Sequence, residues 1–258
     1  MTETAQETEH AWWASPRFLL SAAAIVLLVF TGIIFFVWTG NDETPAVSSS
    51  PSQSQAPAPV PTTAAAAANS QASVCGLAAT GGITLTTAPK DTEWEFLNGI
   101  FAPKSKAHGP GVVDPDTGVR SCFSHTPEGA VLAVSGFFAA GGDAQLFLDT
   151  VEKQVIDGPG KDKNLALLQK VAEEGDTPTP PIKIEGFRLL SYNEEQATVE
   201  VVLGADAGQE RYYQTQSADI IWQDNDWYFH VKDDGTAGSI SGQISNLTGY
   251  IPWGPDHG

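Results

Sequence analysis

Three histidines, His108, His125 and His230, are the first residues to consider for chemistry, because imidazole is a common metal ligand and proton carrier at neutral pH. Their spacing matches no metal-binding pattern, and no cluster of further ligands stands beside them in the sequence. We expect the His125 side chain to bond a nearby carbonyl group in a loop. His230 falls on the polar face of a predicted strand, where we expect it to be solvated. The sequence therefore predicts no metal site.

Carboxylates are the second group of candidates. Adjacent acidic residues occur at Glu173-Glu174, Glu194-Glu195 and Asp233-Asp234. General acid–base catalysis needs carboxylates that converge in a pocket, whereas neighbours on turns are usually solvated. Asp219 and Asp226, near a predicted hairpin, are only slightly better placed. After residue 72 the sequence also lacks the phosphate-loop, zinc-protease, CxxC and serine-nucleophile motifs of common enzymes. We therefore predict no catalytic residue and no cofactor.

The chain has two cysteines, Cys75 and Cys122. A disulfide between them would close a loop of 48 residues. In the chain-entropy account, such a bridge stabilises the fold by about 4 kcal/mol. Two unpaired, buried thiols are the alternative.

Aromatic residues could line a ligand cavity, and six of them stand out: Trp94, Trp222, Trp227, Tyr228, Phe229 and Trp253. A domain in which a curved sheet covers helices usually buries such side chains in its core. We therefore expect core positions for most of them.

Residues 18–38 are the most apolar part of the chain, with 21 residues and no charge. As a helix this segment would be about 31 Å long, which matches a hydrocarbon core of about 30 Å. The alternative is a cleaved signal peptide, whose apolar region is normally shorter. We predict a retained transmembrane helix. Arg17 precedes it and the next basic residue is Lys90, so residues 1–17 are expected in the cytoplasm and the rest outside.

Residues 39–72 consist largely of Ser, Pro, Ala, Thr and Gln, which predicts a disordered linker with a reach of about 30 Å. The remaining residues, 73–258, are long enough for one extracytoplasmic domain. This part holds 12 Lys and Arg against 26 Asp and Glu, a net charge of −14. Such a surface repels phosphate backbones, so we expect no nucleic-acid partner.

Helices are predicted in the middle third of the domain. Thr126 is a suitable N-cap, with Pro127 at the first helical position, and Gly141-Gly142 ends that helix. A second helix begins at Asp143 and is stopped by residues 158–160, and a third spans about 162–174. Before the helices, extended segments are predicted at 83–87 and 94–101.

Strands are predicted in the last third, at residues 182–190, 197–203, 211–223 and 227–232. Residues 224–226 read as a hairpin loop, and Trp227 and Phe229 share one face of the strand that follows. Residues 240–247 carry apolar positions at helical spacing. The tail that ends at Trp253 is expected to pack back on the domain.

About three helices followed by four strands predict an α+β fold in which a cone-like, curved antiparallel sheet wraps around the helices. This order resembles the nuclear-transport-factor-2-like fold. The fold also occurs in the extracytoplasmic domains of conjugation and type IV secretion assembly proteins, which likewise follow one N-terminal membrane helix.

More narrowly, the chain resembles a family of Gram-positive, mobile-element-associated membrane proteins. The residues that carry this resemblance are Trp94, Gly109-Pro110, the stretch from Cys122 to Ala133, Trp222, Trp227 and the stretch from Gly249 to Gly254. The resemblance implies the architecture above and a role in conjugation.

Two kinds of function follow from these expectations. The first is a structural, assembly or docking component of an envelope machine such as a conjugative transfer apparatus, with protein partners or further copies of the chain. The alternative is an enzyme or a binder of cell-wall fragments that uses the cavity of the cone.

Overall fold

The computed structural model describes residues 72–79, 82–97, 99–174, 181–207, 210–236 and 240–257. The predicted cytoplasmic tail and transmembrane helix, and all of the predicted linker before residue 72, lie outside the described residues. Within the described residues, no helix combines the length and the apolar character needed to cross a membrane.

The described residues form an α+β domain with three helices and ten strands, of which β1 to β4 precede the helices. The strands are β1 (Glu93–Leu97), β2 (Ile100–Lys104), β3 (Val112–Val113), β4 (Arg120–Ser121), β5 (Ile182–Tyr192), β6 (Gln196–Ala207), β7 (Glu210–Gln223), β8 (Asp226–Phe229), β9 (Ile240–Ile244) and β10 (Ile251–Pro252). The helices are α1 (Pro127–Ala140), α2 (Ala144–Gln154) and α3 (Pro159–Glu174). The predicted fold class is confirmed at this level.

Helix α1 is the centre of the domain. Thr126 caps it as predicted, because the backbone N–H of Gly129 donates to Thr126 Oγ1 at 3.1 Å. Twelve of the fourteen residues of α1 are buried. A helix that is buried on nearly all sides must be apolar all round, which explains its run of Ala, Val, Leu and Phe.

Helices α2 and α3 differ in part from the prediction. Asp143 caps α2 as expected, but the helix ends at Gln154, and Val155 forms a bridge with Phe229 of β8. The Gly-Pro-Gly segment at 158–160, which was expected to stop α2, instead begins the next helix. Pro159 occupies the start of α3, a position that proline favours because its missing N–H would be unpaired there anyway.

A strongly curved sheet carries the strand order β1-β2-β5-β6-β7-β8. Strand β5 pairs with β2 only at Ile182 and Ile100, where the two run parallel, and β10 joins β5 further along at Phe187 and Gly186. On the other side, β9 and β8 share the outer edge of β7. The sheet therefore curls into a half-barrel around the helices.

The inner face of the sheet forms the core with α1. Val199, Val201 and Leu203 of β6 lie on this face, as predicted. Trp227 and Phe229 of β8 are buried on it, whereas His230 is exposed. Alternation in these two segments thus identified the core face correctly.

Three sequence expectations are wrong. Residues 94–101 are not one strand but the hairpin of β1 and β2, which turns at Gly99 with φ +117°. Residues 83–87 are all described and form no strand. Residues 240–244 form strand β9 rather than a helix, because pairing with β7 fixes them in an extended conformation.

The C-terminal chain forms a strap over the outer face of the sheet. It leaves β9 at the edge of β7 and reaches β10 at the edge of β5, so it must cross β6 between them. On the way, the Tyr250 hydroxyl donates to Glu200 Oε2 at 3.1 Å. Trp253 at the end of the strap is buried, which confirms that the tail packs on the domain.

Candidate functional site

The loop before α1 and the β7–β8 hairpin bring most of the candidate residues together. We call this region the hairpin corner and define it by residues 72–77, 108–126 and 222–228. The turn of the hairpin consists of Asp224 and Asn225, which have φ +51° and +63°. Asn and Asp adopt this left-handed conformation more readily than most residues, so the sequence closes a tight hairpin here.

His108 belongs to a small polar cluster at the hairpin corner. Its Nδ1 lies 3.1 Å from Ser124 Oγ and 3.4 Å from Thr126 Oγ1, and the two hydroxyl oxygens are 2.8 Å apart. Burial lowers the pKa of His108, and the charge of Glu128 opposes that change. A neutral imidazole next to a serine hydroxyl is the pair that nucleophilic catalysis requires.

Ser124 itself is closed off from substrates. Its side chain is fully buried, and its carbonyl oxygen accepts the indole N–H of Trp227 at 3.0 Å. A Cβ at Gly129 would lie 2.0 Å from the Ser124 carbonyl oxygen, so helix α1 packs directly against it. In this arrangement Ser124, His108 and Thr126 hold the start of α1 in place.

His125 lies in an aromatic stack and not in a ligand cluster. Its ring is parallel to that of Trp222 at 3.9 Å, and its Nε2 lies 2.6 Å from the Glu194 carbonyl oxygen. The predicted bond from His125 to a carbonyl is thus confirmed. His125 Nδ1 and Trp222 Nε1 are buried without a hydrogen-bond partner in the part of the chain that the structure describes.

Asp226 is the residue that sequence reasoning placed least well. It begins β8 instead of lying in the turn, and its carboxylate accepts the backbone N–H groups of Cys122 at 2.5 Å and Phe123 at 2.9 Å. The Asp226 carboxylate also accepts the backbone N–H of the next residue, Trp227, at 2.9 Å. Burial raises the pKa of Asp226, and the three N–H groups limit the rise. A two-residue turn at 224–225 was the available signal, because it makes residue 226 part of the strand.

Cys75 and Cys122 form the predicted disulfide at the same corner. Next to it, the backbone N–H of Val74 donates to the Asn225 carbonyl oxygen at 2.9 Å, and the Asn225 side chain donates to the Ala72 carbonyl oxygen at 2.8 Å. The chain that follows the predicted linker is therefore fixed to the hairpin and to the loop before α1.

A cavity of about 330 Å³ opens beside the hairpin corner. It lies between the β3–β4 ribbon, the end of α2 and strand β8. Val112, Val119 and Tyr228 contribute apolar surface, and Asp114, Lys153 and Asp226 contribute charge. The cavity lies outside the curled sheet, whose interior is filled by rings such as Phe137 and Phe229, stacked at 3.8 Å. The expectation that most aromatic residues are core is confirmed for Trp227, Phe229 and Trp253.

A second group of charged residues holds the C-terminal tail. Glu185 is buried, and its Oε2 lies 3.0 Å from His257 Nε2. Arg211 Nη1 lies 3.3 Å from Glu185 Oε1, an ion-pair contact whose angle makes no hydrogen bond. Trp253 packs on Trp94, with ring centres 4.9 Å apart. The residues that carry the family resemblance thus lie in three places: the hairpin corner, the first half of α1 and this tail contact.

The remaining candidates lie apart from both groups. Glu194, Glu195, Asp233 and Asp234 are exposed on turns, as expected. Asp219 accepts the Thr198 hydroxyl at 2.8 Å on the polar face of the sheet. In the described part of the chain, no three His, Cys, Asp or Glu side chains gather in a way that could hold a metal ion.

Comparison with known proteins places this architecture in a family. No curated protein and no solved structure matches the chain. Residues 54–252 match the family described as Domain of unknown function (DUF8175), and this match includes the hairpin corner, the cavity and most of the strap. Because the match covers well over half of the sequence, the chain belongs to the DUF8175 family.

Proposed function

We propose that the chain is a single-pass membrane protein whose acidic domain lies outside the cytoplasm and serves as a docking or assembly module of an envelope complex. The observation that carries the proposal is the disulfide between Cys75 and Cys122. Disulfides persist in oxidising compartments and are rare in the cytosol. The apolar segment 18–38, with Arg17 before it, supports the same orientation.

The charge of the domain supports the docking role. Residues 73–258 carry a net charge of −14, which favours encounter with basic protein surfaces and disfavours nucleic acid. The half-barrel around three helices supports the finer proposal of a nuclear-transport-factor-2-like fold. With the resemblance to conjugation assembly proteins, we propose a conjugative transfer machine as the setting.

The orientation is tested first. A reporter that is active only outside the cytoplasm, fused to the C-terminus, should be active, and the same fusion with a cytosolic reporter should be silent. In addition, Cys75 and Cys122 in intact cells should resist alkylation until a reductant is added. A cytosolic C-terminus would overturn the proposal.

Docking is tested by crosslinking in living cells. We expect adducts heavier than the chain whose second component, identified by mass spectrometry, is one envelope protein with a basic surface or a second copy of the chain. Neutralising exposed acidic pairs such as Glu194 and Glu195 should reduce the yield, because charge steers the encounter. Recovery of the monomer alone would contradict the docking role.

The cavity favours a second candidate, a ligand-binding module. Its volume of about 330 Å³ lies at the lower end of the range for small-molecule sites. For binding of cell-wall fragments or an enzymatic reaction, this cavity is a better candidate than the inside of the half-barrel, which aromatic side chains occupy. Ligand screening with the purified chain separates this candidate from pure docking.

A further inference from the structure

The cavity beside the hairpin corner is lined by two carboxylates, Asp114 and Asp226, but by one basic side chain, Lys153. At its rim, Lys153 Nζ donates to Asp114 Oδ2 at 2.7 Å and to Thr117 Oγ1 at 3.0 Å. The ion pair makes Asp114 and Lys153 neutral as a unit. Lys153 lowers the pKa of Asp114, so this pair stays charged at neutral pH. Among the side chains that line the cavity, Asp226 is then the charged group without an oppositely charged partner.

The Asp226 carboxylate retains capacity to accept a hydrogen bond. Its two oxygens accept three backbone N–H groups, whereas an ionised carboxylate has about four acceptor positions. Its side chain is almost completely buried, with 6 % of the residue exposed. A buried carboxylate gains more from a charged donor than an exposed one does, because water competes less for it.

Aromatic and aliphatic groups form much of the remaining wall. Tyr228 comes from β8, and Val112 and Val119 come from the β3–β4 ribbon. The Trp227 indole also borders the cavity but is buried in the core, where its N–H donates to the Ser124 carbonyl oxygen. Aromatic rings attract cations through the negative charge of their faces. Carboxylate and aromatic groups together favour an organic ammonium ion, whereas an anion would face both Asp226 and the field of a domain with a net charge of −14.

We propose that this cavity binds a small organic ammonium ion, with the ammonium group at Asp226 and an apolar body between β8 and the β3–β4 ribbon. The volume of about 330 Å³ limits the ligand to a small molecule or to a single side chain of a larger one. The proposal concerns a site on the domain and does not depend on the docking role or on the membrane orientation.

Three fluorinated probes of nearly equal shape test the charge preference. They are 4-fluorobenzylammonium, 4-fluorobenzyl alcohol and 4-fluorobenzoate, and their ¹⁹F lines are followed as the purified full-length chain is added. We expect the line of the ammonium probe to broaden at the lowest protein concentration and that of the benzoate at the highest. Equal or tighter binding of the alcohol or the benzoate overturns the proposal, as does the absence of broadening at millimolar concentrations.

Two substitutions at the rim of the cavity should change the Kd of the ammonium probe in opposite directions. Lys153 and Asp114 have partly exposed side chains, at 42 % and 35 %, so both changes preserve the core. Lys153→Met leaves Asp114 unpaired and should lower the Kd of the ammonium probe about two- to fivefold. Asp114→Asn leaves Lys153 unpaired and should raise it by a similar factor.

Matched controls change the same charges away from the cavity. Lys170→Met on α3 and Asp91→Asn before β1 alter exposed residues and should leave the Kd unchanged. If the rim variants shift the Kd no more than these controls, or in the opposite directions, the ligand is not held as proposed.

Discussion

The Asp226 carboxylate accepts the backbone N–H of Phe123 at 2.9 Å, although 103 positions separate the two residues in the chain. Together with the bond from Cys122, this contact joins the β7–β8 hairpin to the loop that leads into α1. A single acidic side chain therefore connects the end of the sheet to the central helix. Removal of this carboxylate should therefore destabilise the whole domain.

Replacing Asp226 with Asn tests this connection. An amide has one carbonyl oxygen, and its NH₂ group would face a backbone donor, so at least one buried N–H loses its partner. We expect the free energy of unfolding to fall by about 1–3 kcal/mol. Urea denaturation measures it. Asp224→Asn is the matched control, because residue 224 is exposed with φ +51° and Asn tolerates that conformation. Equal stabilities of the two variants would contradict the role of Asp226.

The disulfide can be removed without leaving a free thiol by the double change Cys75→Ala and Cys122→Ala. We expect a loss of about 2–4 kcal/mol, since the unfolded chain gains the freedom of a long loop. The wild-type chain in reductant should lose a similar amount, and the variant should not respond to reductant. Denaturation with and without dithiothreitol gives both values, and a reductant effect on the variant would show that another cause is at work.

Gly254 is required for the strap to lie on the sheet. A Cβ at this position would lie 2.0 Å from the Ile184 carbonyl oxygen, which cannot move without disturbing β5. Gly254→Ala should displace the tail, destabilise the domain by about 1–3 kcal/mol, and expose Trp253. Fluorescence quenching and denaturation measure both effects. Gly158→Ala is the control, because nothing lies within 4 Å of its added Cβ. A neutral result at Gly254 would refute the close packing of the strap.

His108 should make stability depend on pH. Burial lowers its pKa below the ordinary value of 6.5, so between these two values the unfolded chain binds more protons than the folded domain. Stability contributed by neutral His108 is therefore present above pH 6.5 and is lost as the pH falls towards the folded pKa. His108→Gln should flatten this part of the curve of unfolding free energy against pH, and His230→Gln, at an exposed position, should not. A curve unchanged in His108→Gln would contradict the assignment.

Local signals were sufficient for part of the fold. Thr126-Pro127 predicted the start of α1, and alternation in β6 predicted its buried face, because capping and periodicity act over a few residues. The β1–β2 hairpin was missed, although the sequence has Asn98-Gly99, a strong hairpin signal. The apolar residues on both sides of this dipeptide read as one continuous strand.

Long-range contacts account for what the sequence could not show. Glu200 reads as an outward-facing strand residue, yet it is buried, because a strap from residues 245–250 crosses β6. The cavity likewise combines β3, α2 and β8, which are far apart in the chain. No local pattern encodes which distant segments come into contact. Of the long-range contacts, the sequence suggested only the disulfide and, without naming its partners, the packing of the C-terminal tail.

The position of the disulfide has a mechanical consequence. A pull on the chain from the side of Ala72 is transmitted at Cys75 across the bridge to Cys122, four residues before the N-cap of α1. The residues between the two cysteines, including the β1–β2 hairpin, form a closed loop that carries no tension. A domain tethered in this way would resist force through its central helix, while the β1–β2 hairpin stays unstretched.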